Sequence, residues 1–346
     1  MHIPENYLSP VSCAVMGAAM LPVWIHAVKK TNAELPKEKL PLLGAGAAFS
    51  FLAMMFNVPL VGGTTGHAVG GTLIALLFGP SAACIAVSVA LLLQAVIFGD
   101  GGVLAFGANC FNMAFVLPYL GYAVYRLVLG RNREHTLQAG GARPYAAATI
   151  GAYVGLVAAA LCCAVEFGVQ PLLFKDAAGN ALYCPYDLSV SIPAMMIPHL
   201  LVAGFVEAAF TVAVFALVRK TTPELTYERM RADAPEPAGK KKFIPVFALI
   251  AVLIAACPLG LLAVGTAWGE WGADEIAEIV TDGKALGYTP SGLENGWSLN
   301  VPMPDYALEG MNETLAYLLS AVIGVALLLI LFKLISIPMK GRRKPS

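Results

Sequence analysis

What most constrains this chain is a succession of long apolar runs almost free of charge, at about 9–28, 41–56, 69–78, 81–98, 107–127, 145–170, 190–218, 243–266 and 313–335. A helix rises about 1.5 Å per residue and a bilayer's hydrocarbon core is about 30 Å thick, so roughly 20 apolar residues suffice to cross it. In lipid the backbone polar groups have to be satisfied within the segment, which makes a continuous apolar run a helix. Hydrophobic residues are 58% of the chain and charged residues 13%, about half the charged share of a soluble domain. The expectation is an all-α polytopic membrane protein of about nine transmembrane helices, with membrane lipid as its surroundings. Pro22 should bend the first helix without ending it, because neighbouring helices satisfy the freed carbonyl.

Basic and acidic residues balance at 22 each, which argues against a nucleic-acid partner. Their placement is uneven. Lys29, Lys30, Lys37 and Lys39, then Arg126, Arg131, Arg133 and Arg143, then 219–242 and the tail from Lys340 through Arg342, Arg343 and Lys344 are basic breaks. The breaks 171–189 and 267–312 are poor in Lys and Arg, and the second carries Glu270, Asp274, Glu275, Glu278, Asp282, Glu294, Asp305 and Glu309 against Lys284. Positive charge collects on the cytoplasmic side. Nine crossings of an inner membrane then leave the C-terminus cytoplasmic and put both the N-terminus and 57–67 outside. The start lacks a basic region before its apolar run and is interrupted by Pro4, Glu5 and Asn6, unlike a signal peptide. The seven cysteines include no Cys-x-x-Cys pair and sit mostly in apolar runs, as small buried hydrophobes do. No Gly-x-x-x-x-Gly-Lys-Ser/Thr phosphate loop occurs, so this chain is not expected to hydrolyse ATP.

Two stretches carry candidate chemistry. The chain starts Met1, His2, Ile3, Pro4, and the α-amine of Met1, the main-chain nitrogen of His2 and its Nδ1 can close two small chelate rings around one ion. A fourth nitrogen would complete a plane, a geometry that suits nickel(II) or copper(II) and not tetrahedral zinc. The break Gly62, Gly63, Thr64, Thr65, Gly66, His67, Ala68, Val69, Gly70, Gly71 holds the one histidine set in a glycine-lined turn. Glycine there permits positive φ and close approach of backbone to whatever is bound. Elsewhere Asn109 and Asn112 share a helix face, where two carboxamides in a membrane need partners. Glu166, His199 and Glu207 lie in or near spans and are expected to serve helix packing or an ion path.

Met1–Pro10, Gly62–Gly71, Phe98–Gly102 and Gly107–Met113 together resemble the metal-binding membrane component of group I energy-coupling-factor transporters for cobalt and nickel. The resemblance covers roughly residues 1–220. It implies an amino terminus inserted from the outer side, with Met1, His2 and His67 as ligands and with Thr64, Thr65, Asp100, Asn109 and Asn112 around the pocket. Some relatives carry a second histidine four residues after the position of His67; this chain has Gly71 there. The substrate it implies is Ni(2+) or Co(2+), and its partners are a transmembrane coupling protein and cytoplasmic ATPase subunits. It implies a transporter subunit and no enzyme.

The charged, proline-bearing stretch 221–242 reads as a cytoplasmic linker dividing a capture component, 1–220, from a two-span module, 243–346. That module, with its acidic extracytoplasmic loop, resembles the small accessory component of such transporters. Thr289, Pro290, Ser291, Gly292, Leu293 and Glu294 resemble its Pro-Asp-Gly-Leu-Glu motif, with Ser291 at the aspartate position. It is expected to act in transport and not in capture. The rival reading is a secondary transporter or channel for divalent metal ions that works without ATP, but no inverted repeat is evident.

Overall fold

The computed structural model describes residues 1–35, 39–130, 141–232, 243–263, 265–281 and 284–340. Lys37, Arg131, Arg133, Asp282, the linker lysines 240–242 and the tail residues Arg342, Arg343 and Lys344 lie outside them. Along the chain run α1 (Pro10–Glu34), α2 (Leu40–Met55), an antiparallel hairpin of β1 (Val58–Leu60) and β2 (Thr64–Gly66), α3 (Gly71–Phe78), α4 (Pro80–Phe98), α5 (Phe106–Leu129) and α6 (Arg143–Leu173). There follow α7 (Leu188–Thr221), α8 (Ile244–Leu262) and α9 (Glu313–Lys340). The protein is all-α apart from short hairpins.

Among the described residues seven helices, all of these except α2 and α3, are long and apolar enough to cross a membrane. The 16 residues of α2 make it shorter, and the 8 residues of α3 rise only about 12 Å. Two of the nine apolar runs therefore fall short of a spanning helix by length. The reason is local: Gly62 (φ 94°) and Gly63 (φ 78°) fold the chain into the hairpin, and Gly70 (φ 72°) turns it again before α3 begins. The whole of α3 is buried, so this irregular backbone is enclosed by protein.

Capping chemistry sets the helix starts. Ser9 accepts from the main-chain nitrogen of Ser12 at 3.0 Å ahead of Pro10, and Asp187 accepts from Ser189 at 2.8 Å and from Val190 at 3.3 Å to open α7. Three helices carry a π-type turn, at Gln94–Phe98 in α4, Cys110–Val116 in α5 and His199–Ala203 in α7. Such turns re-aim side chains and occur often beside functional sites.

The helix ends collect at two poles. At one, Lys39 donates to the Glu224 carbonyl at 3.0 Å, Tyr227 donates to Glu34, Tyr122 donates to Glu228 at 2.6 Å, and Arg143 donates to the Val128 carbonyl at 2.8 Å. These are the ends expected to be basic from sequence. At the other pole the N-terminal ten residues meet the turns after α4, α6 and α8. The last two helices also pack on the first part of the chain: the hydroxyl of Tyr317 donates to the Met55 carbonyl at 2.5 Å, and a Cβ on Gly44 would lie 2.8 Å from the Cβ of Phe332. Glycine at position 44 is what lets α9 approach α2.

Candidate metal centre

The amino terminus is threaded into the protein, with Met1 4%, His2 3% and Ile3 0% exposed. An extended segment this deep needs partners for its peptide groups. Asn109 supplies them reciprocally, its Oδ1 accepting from Ile3 N at 2.7 Å and its Nδ2 donating to Ile3 O at 3.0 Å. Gly102 N donates to the same carbonyl at 2.8 Å. Glu5 accepts from Val103 N at 2.7 Å and Leu104 N at 3.2 Å, so the Gly99–Gly102 turn and the terminus clasp each other. Gly101 (φ 85°) faces His2 and Asn109, where a Cβ would come within 3.1 Å of Asn109 Nδ2.

His67 Nε2 lies 3.2 Å from His2 Nδ1, and both rings are buried. His67 Nδ1 is 3.1 Å from the Ala68 carbonyl, which can only accept, so the hydrogen-bond partners assign the proton to Nδ1 and leave a lone pair on Nε2 facing His2. A main-chain carbonyl holding the far nitrogen is the usual way a ligating imidazole is oriented. Burial, with help from His2 and the terminal ammonium, keeps the imidazole of His67 neutral to well below its ordinary range. The loop itself is fixed from outside: Glu207, fully buried on α7, accepts from Val69 N at 2.7 Å and from Gly70 N at 3.0 Å, while Ser50 Oγ donates to the Val69 carbonyl at 2.7 Å.

Two carboxylates reach this cluster. Asp100 Oδ1 is 3.1 Å from His2 Nδ1, and Glu270 Oε1 is 2.9 Å from the α-amine of Met1. Burial, the largest single influence, works to strip the proton from that amine, but Glu270, Cys163 and Asp100 together outweigh it and hold the amine above its ordinary range. The cluster opens on a cavity of about 450 Å³ whose polar lining includes His2, Thr65, His67, Asp100, Glu270 and Asp305. Among the described residues no group of three or more His, Cys, Asp or Glu side chains is arranged to hold a metal. A site here would draw on main-chain nitrogen beside the two imidazoles. Two imidazole nitrogens on adjacent corners of a square plane, each about 2.0 Å from the ion, stand about 2.8 Å apart. The 3.2 Å between His2 and His67 is close to that.

Of the residues singled out from sequence, Met1, His2, His67, Asp100 and Asn109 come together, and Thr65 lines the same cavity. Thr64 turns away and accepts from Trp268 N at 2.7 Å. Asn112, carried by the π-type turn of α5, donates to Glu166 at 2.7 Å. Sequence reasoning missed Glu270 and Tyr306. It left Glu207 as a packing or path residue, where the structure shows it bracing the His67 loop. The intramembrane position of Glu207 was the one signal of that task. The module after the linker is expected to act in transport; its loop touches the terminus at Met1, at Asn6 (Nδ2 to the Trp297 carbonyl, 2.9 Å) and at Tyr7 (hydroxyl to the Trp271 carbonyl, 2.8 Å). In the Thr289–Glu294 stretch, Gly292 N donates to the Leu182 carbonyl at 2.7 Å, docking that loop on the turn after α6.

Residues 2–225 match the family described as cobalt uptake substrate-specific transmembrane region (CbiM), and residues 241–340 match the PDGLE domain. The chain is 45% identical over 335 residues to a probable fused nickel transport protein LarMN of Lactiplantibacillus plantarum, covering 96% of this chain and 97% of that one. It is 46% identical over 344 residues to the fused nickel transport protein NikMN of Rhodobacter capsulatus, covering 95% of each. A crystal structure of a transition metal transporter superposes with a TM-score of 0.58 at 53% identity, over 64% of this chain and 93% of that chain. With the first match spanning most of the chain and the second nearly all of the rest, this protein belongs to the CbiM family, fused to a PDGLE domain, and is a substrate-specific transporter component for nickel or cobalt uptake, not an enzyme.

Proposed function

We propose that this protein captures nickel(II) from the extracytoplasmic side through the Met1 amine, the His2 main-chain nitrogen and Nδ1, and His67 Nε2. The observation that carries this reading is the 3.2 Å approach of the His67 lone pair to His2 Nδ1, beside a buried chain terminus. The ion replaces the contact between the amine and Glu270. Asp100 stays next to the ring and offsets the charge of the captured cation. Nickel is favoured over cobalt because four nitrogens suit a plane, which nickel(II) accepts more readily, and because the two fused relatives carry nickel in their names.

The pole holding His2 and His67 faces outward and the pole holding Lys39, Arg126 and Arg143 faces the cytoplasm, in keeping with the positive-inside rule. The stretch 57–67 lies outside, α3 makes the third of nine crossings, and α2 the second. Residues 1–220 form the capture component, 221–242 the linker and 243–346 the accessory component. Movement of the ion is driven by separate ATPase subunits through a transmembrane coupling protein, since this chain has no phosphate loop.

The test is nickel(II) and cobalt(II) binding to purified protein with its native terminus, in competition at equal free concentration. Placing one residue before Met1, or making His67→Ala, abolishes high-affinity binding while the protein still inserts and folds; Cys110→Ala leaves binding unchanged. Retained binding by a verified extended protein, or a loss from the cysteine change equal to that from His67→Ala, overturns the ligand set.

A further inference from the structure

Asp305 and Tyr306, in the loop that leads into α9, both lie in the left-handed region at φ 52° and 61°, and neither is glycine. Backbone held this way persists only where its surroundings over-determine it. What is held is the side chain of Tyr306. Its ring stacks on Phe98 of α4 at 4.7 Å between centroids, its carbonyl accepts from Ser320 Oγ at 2.9 Å, and the nearby Met303 N donates to the Ile97 carbonyl at 3.0 Å. The hydroxyl at the end of that ring donates to Asp100 Oδ2 at 2.5 Å.

Asp100 is thereby fixed from both halves of the chain. Gln94, on the π-type turn of α4, donates its Nε2 to the same oxygen at 3.0 Å and to the Tyr306 hydroxyl at 2.9 Å. With Oδ2 held by two donors, Oδ1 is left aimed at His2 Nδ1, 3.1 Å away. A carboxylate held by one donor can rotate about its own side chain; one held by two cannot without breaking a bond in a buried setting.

We propose that Tyr306 is a positioning residue for the metal site: through Asp100 it holds a counter-charge beside the captured dication, so the PDGLE domain tunes the affinity of a site whose ligands all lie in the other half of the chain. This rests on His2 being a ligand. Groups just outside the ligands of a bound metal typically change its affinity about 10–100-fold when removed. The ring of Tyr306 already packs against phenylalanine, so Tyr306→Phe removes the hydroxyl and leaves the packing.

The experiment is a nickel(II) titration with absorption spectra on the full-length protein, Tyr306→Phe, Asp100→Asn and the double variant, with a thermal midpoint for each. Tyr306→Phe is expected to weaken nickel binding about 10–100-fold and shift the ligand-field band while the midpoint of the metal-free protein stays in place. In the Asp100→Asn background the same change adds no further loss. Wild-type affinity and band in Tyr306→Phe, additive losses in the double variant, or a loss matched by a lowered midpoint with an unchanged band would each overturn the proposal. A protein extended before Met1 is run alongside. If it binds nickel normally the ligand set fails and this proposal with it; if the extension abolishes binding and Tyr306→Phe does not weaken it, the ligand set stands and only the role of Tyr306 falls.

Discussion

In the proposed ligand set the Met1 amine and the His67 imidazole differ in how they hold a proton. Against burial, Glu270 at 2.9 Å together with Cys163 and Asp100 holds the amine protonated above its ordinary range, whereas burial keeps His67 neutral far below its own. A ligand must be free of its proton to bind metal, so the amine opposes capture more as pH falls and His67 adds no opposition near neutrality. Between about pH 6 and 8 the apparent dissociation constant for nickel should therefore fall at least about tenfold per pH unit as pH rises, without levelling off in the imidazole range. Calorimetric titration in buffers of different ionisation enthalpy counts the protons released. Release of none, or a plateau near the histidine range, contradicts the assignment of the amine.

At the scale of elements, the hairpin and α3 are placed by close packing as much as by glycine turns. Gly71 opens α3 where a Cβ would stand 2.7 Å from Leu117 Cδ2 and 3.4 Å from the Met113 carbonyl of α5. An imidazole has no room there, and overpacking a well-filled interior costs about 1–3 kcal/mol. Gly71→His, although it restores the residue some relatives carry, should lower the thermal midpoint by several degrees and add no ligand. An unchanged midpoint with tighter cobalt binding would show that α3 can shift to admit the ring. From sequence alone position 71 looks like a free choice, because spacing along the chain says nothing of what α5 presents across from it.

For the whole molecule, the loop between α8 and α9 closes one side of the candidate site, through Glu270 on the amine and Tyr306 on Asp100. Ending the protein at residue 232 removes both. Such a truncated form should bind nickel about 10–100-fold more weakly as well as lose uptake in cells that hold the ATPase and coupling subunits. Wild-type affinity with uptake alone lost would return the second half to a role in transport only.

Local patterns in the sequence determined the class and picked out several residues that the structure brings together at the candidate site. Apolar runs fix helices because lipid leaves backbone no other partner, and the glycines at 62, 63 and 70 mark where the chain has to turn. Two of the runs, 41–56 and 69–78, are already short for a spanning helix in the sequence, and the helices that form from them are no longer than the runs. The partners were decided by tertiary structure alone. Glu270 meets the amine from 269 residues away, Tyr306 meets Asp100 from 206 and Glu207 meets Val69 from 138. A carboxylate within a span signals that it needs a partner. Which donor it finds depends on how α2, α4, α7 and α9 pack, and no periodicity within a single helix encodes that.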